Sequence, residues 1–210
     1  MLKKQNTHCD SISHENNLTG KILMSLDYVN QYLSETEKII RDIDRNSIVR
    51  AIDLLSDLKR DQGRLFILGI GGSAGNASHA ANDFRKICNI EAYAPTDNVS
   101  ELTAWTNDDS FNVIFKNWLL TSKLSAKDAL LVFSVGGGSE KASYNLVLAM
   151  EAAREIGARI VSIVSRDGGA AKKLSDVCIL VPVVAQERIT PHAEGWQGVL
   201  WHLTVGAIRD

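Results

Sequence analysis

Cysteine is scarce in this chain of 210 residues, and what there is does not pair. Cys9, Cys88 and Cys178 are an odd number without C-x-x-C spacing, so no disulfide framework is expected, and Cys88 and Cys178 read as buried free thiols. A surplus of positive charge is also missing. The formal net charge is −2 and no basic block interrupts the chain, which removes the electrostatic basis for binding nucleic acid non-specifically. No apolar run approaches the ~20 residues that a membrane span needs. The opening stretch MLKKQNTHCDSISHENN has no apolar core of the kind a secretory signal carries, so a cytoplasmic location is expected. His8, Cys9 and His14 within it are too irregularly spaced to suggest a metal-binding tail.

What the chain does have is glycine in two well-defined places. Residues 64–88, RLFILGIGGSAGNASHAANDFRKIC, run from a four-residue apolar strand (Leu65 to Leu68) into Gly69-Ile70-Gly71-Gly72-Ser73-Ala74-Gly75 and then into a helical pattern bearing Ala77, Ala80, Ala81 and Phe84. Strand, glycine turn and helix together aim unpaired backbone N–H groups at an anion. Gly71 and Gly72 permit close approach, and Ser73 offers a hydroxyl and an N-cap. No Gly-Lys-Ser/Thr follows, so this is not a Walker loop, and the dinucleotide fingerprint is incomplete. A second unit of the same kind spans 128–142, DALLVFSVGGGSEKA, where Leu130 to Val135 lead into Gly136-Gly137-Gly138-Ser139 and a helix. Two such loops belong at the carboxyl edge of one parallel sheet, where open α/β sheets bind ligands.

The remaining pattern fits that sheet. Residues 1–18 are polar and read as frayed. Ile22, Leu23, Leu26, Val29, Tyr32 and Leu33 then recur at three and four to predict a helix over about 18–40, and Ile48, Ala51, Ile52, Leu55 and Leu58 predict another over 47–60. Further strands are expected at 91–94, 129–135, 159–165 and 177–183, with helices at 99–106, 110–123, from the second glycine loop to Ile156, from Asp167 to Leu174, and over the terminal segment from Thr190. Near-continuous apolar strands alternating with helices call for a parallel sheet covered on both faces. Residues 19–210 thus read as one domain whose N-terminal helices, 19–60, serve to pack against further copies.

GGSAGNASHAANDF, the TD of 96–97, the ND of 107–108, SVGGGS at 134–139 and the terminal EGWQGVLWH together resemble the sugar isomerase (SIS) domain. Within it they are most similar to the sedoheptulose-7-phosphate isomerases, also called phosphoheptose isomerases. The resemblance covers nearly the whole chain. It implies a three-layer α/β/α sandwich around a five-stranded parallel, flavodoxin-like sheet, preceded by N-terminal helices. It also implies a homo-oligomer, as a tetramer, that isomerises a phosphorylated sugar in heptose synthesis for a surface polysaccharide.

The chemistry can be weighed residue by residue. His79 and Asp83 stand at i and i+4, a spacing that suits a surface pair as well as a catalytic one. Glu194 and His202, eight apart, share one side of the terminal helix. The resemblance carries a base onto Asp83 and its acid partner onto His202, and it groups His79, Asp83, Glu194 and His202 around a zinc or other divalent ion. Where the family has Glu and Gln, this chain has Asp83 and Glu194, the former shorter by one methylene, about 1.5 Å of reach. Ile70 stands where Asn is common, and Gly136 and Gly138 replace polar residues. Substrate contacts are implied for Gly71, Gly72 and Ser73, for Asp97, Asn107 and Asp108, for Ser134, Gly136, Gly137 and Ser139, and for Glu194. From the residues alone, Asp97, Asn107 and Asp108 serve equally well as turn caps. A non-catalytic SIS scaffold and an isomerase of a different sugar phosphate are the rival expectations, and the two histidines with their carboxylates favour an enzyme. The tryptophans read as packing, and Arg166-Asp167-Gly168-Gly169 as a turn with Asp167 as cap.

Overall fold

A computed structural model of the chain describes the backbone of residues 9–209 and the side chains of residues 24–209. Residues 1–8 of the segment expected to fray, and the side chains of His8, Cys9 and His14, therefore lie outside the described residues, while the backbone of 9–18 is helical. The chain divides into two units, Met1–Arg41 and Asp42–Asp210. The first is essentially one helix, α1 (Cys9–Asp42), which starts nearer the N-terminus than the periodicity alone predicts. Of its described apolar side chains, Leu26, Val29 and Leu33 are exposed in the single chain, whereas Ile39 is buried.

The second unit opens with α2 (Arg45–Arg60), capped by Asp44, whose carboxylate accepts the Asn46 N–H at 2.9 Å. Five parallel strands follow: β1 (Leu65–Leu68), β2 (Ala92–Tyr93), β3 (Ala129–Phe133), β4 (Arg159–Val164) and β5 (Val177–Leu180). Their order, β2-β1-β3-β4-β5, is the flavodoxin-like one that was expected. Strand connections run through α3 (Gly72–Lys86), α4 (Val99–Asp108) with α5 (Ile114–Thr121), α6 (Tyr144–Ile156) and α7 (Gly169–Leu174), and the fold ends on α8 (Ile189–Ile208). Because side chains alternate along a strand, Phe66, Leu68, Leu130, Val132, Ile160 and Val164 face a core shared with α4 to α7. The other face is covered by α2, α3 and α8. Strands buried on both sides need apolar residues at every position, which is why β1 and β3 read as unbroken runs.

The amino edge of the sheet is tied by one buried carboxylate. Asp128 accepts hydrogen bonds from the Arg64 amide (3.0 Å), Nε (3.1 Å) and Nη2 (2.8 Å), and from the amide and hydroxyl of Ser125. Burial works to raise its pKa, but these donors outweigh it and hold the carboxyl below the usual carboxylate range. The carboxyl edge lies opposite. There the order reverses between β1 and β3, so the two glycine loops flank the switch point.

Two local expectations are corrected. The helix after the second glycine loop begins at Tyr144, not at the loop, because Ser139 and Ala142 close a reverse turn of their own. The helix expected at 110–123 starts at Ile114, after a turn in which Ser110 O accepts the Val113 N–H. Gly157 ends α6 at φ +87° as predicted, its N–H reaching Ala153 O and Arg154 O.

Candidate functional site

The first glycine loop uses its glycines for two different reasons. Gly71 caps α3 at φ +62° and ψ −128°, a conformation that side chains resist. Gly72 leaves room that the Glu194 carboxylate fills, since a Cβ there would stand 2.6 Å from Cδ of Glu194. Ser73 was expected to cap the helix; it sits inside the first turn, buried, and Gly71 takes the cap. Glu194 thus brings a carboxylate from α8 to the head of α3, where the leading N–H groups have no preceding turn to bond.

Two helical turns along α3, three ligand-type side chains converge. Nε2 of His79 is 4.0 Å from Oδ2 of Asp83, and Nε2 of His202, arriving on α8, is 3.9 Å from the same oxygen. One ligand atom from each lies within 4.8 Å of the other two. The rest of the local structure holds them there. Asn82 Nδ2 donates to Asp83 Oδ1 at 2.8 Å, leaving Oδ2 for the histidines. Nδ1 of His202 meets Gly198 O at 2.7 Å; a carbonyl only accepts, so Nδ1 carries the proton and Nε2 is turned toward Asp83. Buried Trp201 stacks on His202 with ring centroids 3.4 Å apart and meets His79 edge-on at 4.7 Å. Asn76, three residues before His79, donates to Glu194 O (2.9 Å) and to Gln197 Oε1 (3.0 Å), fastening α3 to α8.

The separations carry chemical information. At 3.9–4.0 Å the imidazoles are too far for hydrogen bonds to Asp83, yet ligands of one tetrahedral ion at ~2.1 Å stand ~3.4 Å apart. Two imidazoles and a carboxylate therefore fit a divalent cation, or a sugar oxygen, placed among them. Glu194, expected as a fourth ligand, is not in the trio. Eight residues advance ~12 Å along a helix, and the Glu194 carboxylate lies over Gly72 instead.

The other predicted residues are spread over the same edge. Asp97 lines a cavity of about 510 Å³ between α3 and the segment after β2, together with Ser78, Asn82, Arg85 and Asn98. Asn107 and Asp108 lie exposed at the end of α4, bonded to each other at 2.7 Å. In the second loop Ser134 Oγ accepts the Gly137 N–H at 3.1 Å and Ser139 Oγ accepts the Ala142 N–H at 3.2 Å, so both hydroxyl protons remain to donate. Gly137 O and Gly138 O accept the Ala171 and Ala170 N–H groups of α7. These glycines are needed for that close packing, since a Cβ on Gly137 would collide with the Gly168 carbonyl. Asn76, Asn82 and Trp201 were not foreseen as part of the site. The helical spacing of Asn76 and His79 on α3, and the Trp201-His202 pair, were the only signals present.

A doubly wound parallel sheet with glycine loops at its switch point and a histidine–carboxylate trio on the adjoining helices defines a small-molecule site of the α/β class. The chain belongs to the SIS domain family, whose model matches residues 27–165. It is 32% identical over 186 residues to the lincomycin biosynthesis protein LmbN of Streptomyces lincolnensis, covering 83% of this chain and 66% of that protein. It is 30% identical over 169 residues to the phosphoheptose isomerase of Rhodospirillum rubrum, covering 78% of this chain and 85% of the relative. In three dimensions it shares its fold with phosphoheptose isomerase GmhA from Neisseria gonorrhoeae, at a TM-score of 0.75 and 24% identity over 91% of this chain and 98% of the other.

Proposed function

We propose that this protein is an aldose–ketose isomerase of a sugar phosphate, converting sedoheptulose 7-phosphate to D-glycero-D-manno-heptose 7-phosphate for surface polysaccharide synthesis. The observation that carries the reading is the trio of His79, Asp83 and His202, drawn from α3 and α8 to one place. Moving a proton between C1 and C2 through an enediolate needs a carboxylate beside carbon and an acid beside oxygen. Asp83 takes the carbon-bound proton. His202, its Nδ1–H held by Gly198 O, serves the sugar oxygens through Nε2. Gly71, Gly72, Ser73, Ser134, Gly136, Gly137 and Ser139 line the loops that receive the substrate, with Asp97, Asn107 and Asp108 at its margin. His79, Asp83 and His202 would hold a divalent ion such as zinc, which when bound supplies a Lewis acid to polarise the carbonyl.

The protein works in the cytoplasm as a homo-oligomer, a tetramer by family resemblance, and the exposed aliphatic face of α1 supports association through residues 19–60. No described helix is long and apolar enough to cross a membrane. The test is direct: the purified protein is incubated with sedoheptulose 7-phosphate in deuterated water and followed by NMR. Aldose signals with deuterium at C2 are expected, and their absence at any enzyme concentration would sink the assignment. A second reading keeps the reaction but changes the sugar. The carboxylate of Glu194 over Gly72 favours it, because that charge alters what the first loop can accept.

A further inference from the structure

Of the three side chains in the trio, His79 has the least polar support. Its side chain is 59% exposed, and Oδ2 of Asp83, at 4.0 Å, is beyond hydrogen-bond reach. No hydrogen bond to the imidazole occurs among the described residues. An exposed ring of that kind samples several rotamers, and ordering it costs entropy. The other two members are tethered, Asp83 by the amide of Asn82 and His202 by the carbonyl of Gly198.

What His79 does touch is aromatic. The indole of Trp201 meets it edge-on at 4.7 Å and stacks on His202 at 3.4 Å, and the two imidazoles stand 5.4 Å apart at 89° to each other. One ring system thus sets the angle between two others. Trp201 can do this because it is itself fixed, being 1% exposed on a helix packed against α2 and α3. The residue type carries a cost. Its Nε1–H is buried without an acceptor among the described residues, and a buried unpaired donor lowers stability, whereas leucine or phenylalanine would bring none. A helix packed for stability alone gains nothing from that nitrogen. What tryptophan adds is breadth, a bicyclic ring that reaches an imidazole on α8 and another on α3 at once.

We infer that Trp201 is the positioning residue of the trio, holding the His79 imidazole at the angle that turns it, with His202, toward Asp83. It acts through the two imidazoles and touches no substrate. Its effect on turnover rests on the isomerase reading above; its effect on His79 does not. Crystal structures and kinetics of three variants test it. Trp201→Leu removes the ring and Trp201→Phe leaves a smaller one. Trp196→Leu, at a buried tryptophan of α8 without ring contact to the trio among the described residues, controls for lost packing. Both leucine variants should melt below wild type. His79 should keep a single rotamer in wild type and in Trp196→Leu, and spread over several in Trp201→Leu. With sedoheptulose 7-phosphate, kcat should fall roughly 10- to 100-fold in Trp201→Leu with KM little changed, the range for displacing a reacting group or losing an outer contact, and should fall less in Trp201→Phe. If Trp201→Leu does not fold, Trp201→Phe is read alone, with a looser His79 and a lower kcat expected. A single unchanged His79 rotamer in the folded Trp201 variants, or an equal loss of kcat in Trp196→Leu, overturns the assignment. So does wild-type kcat in a variant whose His79 has loosened. If His79 loosens as expected while the wild-type protein turns over no ketose phosphate, the positioning role stands and the isomerase reading fails.

Discussion

At the scale of single residues, the geometry of the candidate site depends on the groups that hold His79, Asp83 and His202 as much as on the three themselves. Asp83 presents one oxygen to two imidazoles because Asn82 occupies the other. With Asp83 proposed as the base, Asp83→Asn keeps the volume and removes that carboxylate, so turnover should fall ~10²–10⁴-fold, about 3–5 kcal/mol of transition-state stabilisation, with substrate affinity little changed. Exchange of the C1/C2 proton with deuterated water is the measurement, and wild-type exchange in the variant would remove Asp83 from the role of base. Asn76 makes a different contribution. Its amide bonds both Glu194 O and Gln197 Oε1, and Gln197 is wholly buried with its own Nε2 unpartnered among the described residues. Asn76→Ala should strip Gln197 of its remaining bond and lower stability by about 1–3 kcal/mol in denaturant unfolding. Since it also frees α3 from α8, kcat should drop further than stability alone explains; an unchanged unfolding midpoint would show that the α3–α8 contact needs no such fastening.

Among the elements, α1 stands apart. A helix of 34 residues that leaves Leu26, Val29 and Leu33 exposed has an apolar surface with no occupant among the described residues. Burying each such side chain contributes ~1.5–3 kcal/mol, enough together to hold copies in contact. Changing all three to Asp should therefore reduce the mass seen in light scattering while leaving the far-ultraviolet circular dichroism of the α/β unit in place. A variant of unchanged mass would move the interface elsewhere. The glycine loops differ from each other as elements too. The first ends in a helix head covered by Glu194, whereas the carbonyls of the second brace α7, so similar sequences perform unlike tasks.

For the molecule as a whole, the two edges of the sheet divide stability from function. The carboxyl edge holds the candidate site, and the amino edge is closed by Asp128, whose side chain is 3% exposed against 28% for its partner Arg64. Asp128→Asn would confront Arg64 and Ser125 with an amide donor and should cost about 2–4 kcal/mol. The pH dependence has a definite sign. The folded carboxyl is held below its ordinary range, so its contribution is complete above that range and is withdrawn as pH falls through the lowered value. The stability gap between wild type and Asp128→Asn should accordingly be full near neutrality and narrow in acid; a gap that widened toward low pH would contradict the bonding described.

Much of this fold was written in local sequence. Unbroken apolar runs such as Leu65 to Leu68 gave the strands, and the i, i+3, i+4 recurrence of Ile48, Ala51, Ile52 and Leu55 gave α2, because each depends only on neighbours a turn or a pleat away. The glycine loops and the His79–Asp83 spacing were visible for the same reason. Spacing could not say which partner Asp83 would meet, since His202 reaches it only when α8 docks on α3. Nor could it say that the Glu194 carboxylate lies over Gly72, or that the carbonyls of Gly137 and Gly138 turn to α7. Those are contacts between segments as many as 122 residues apart (Gly72 to Glu194), fixed by the packing of helices on the sheet rather than by any period along the chain.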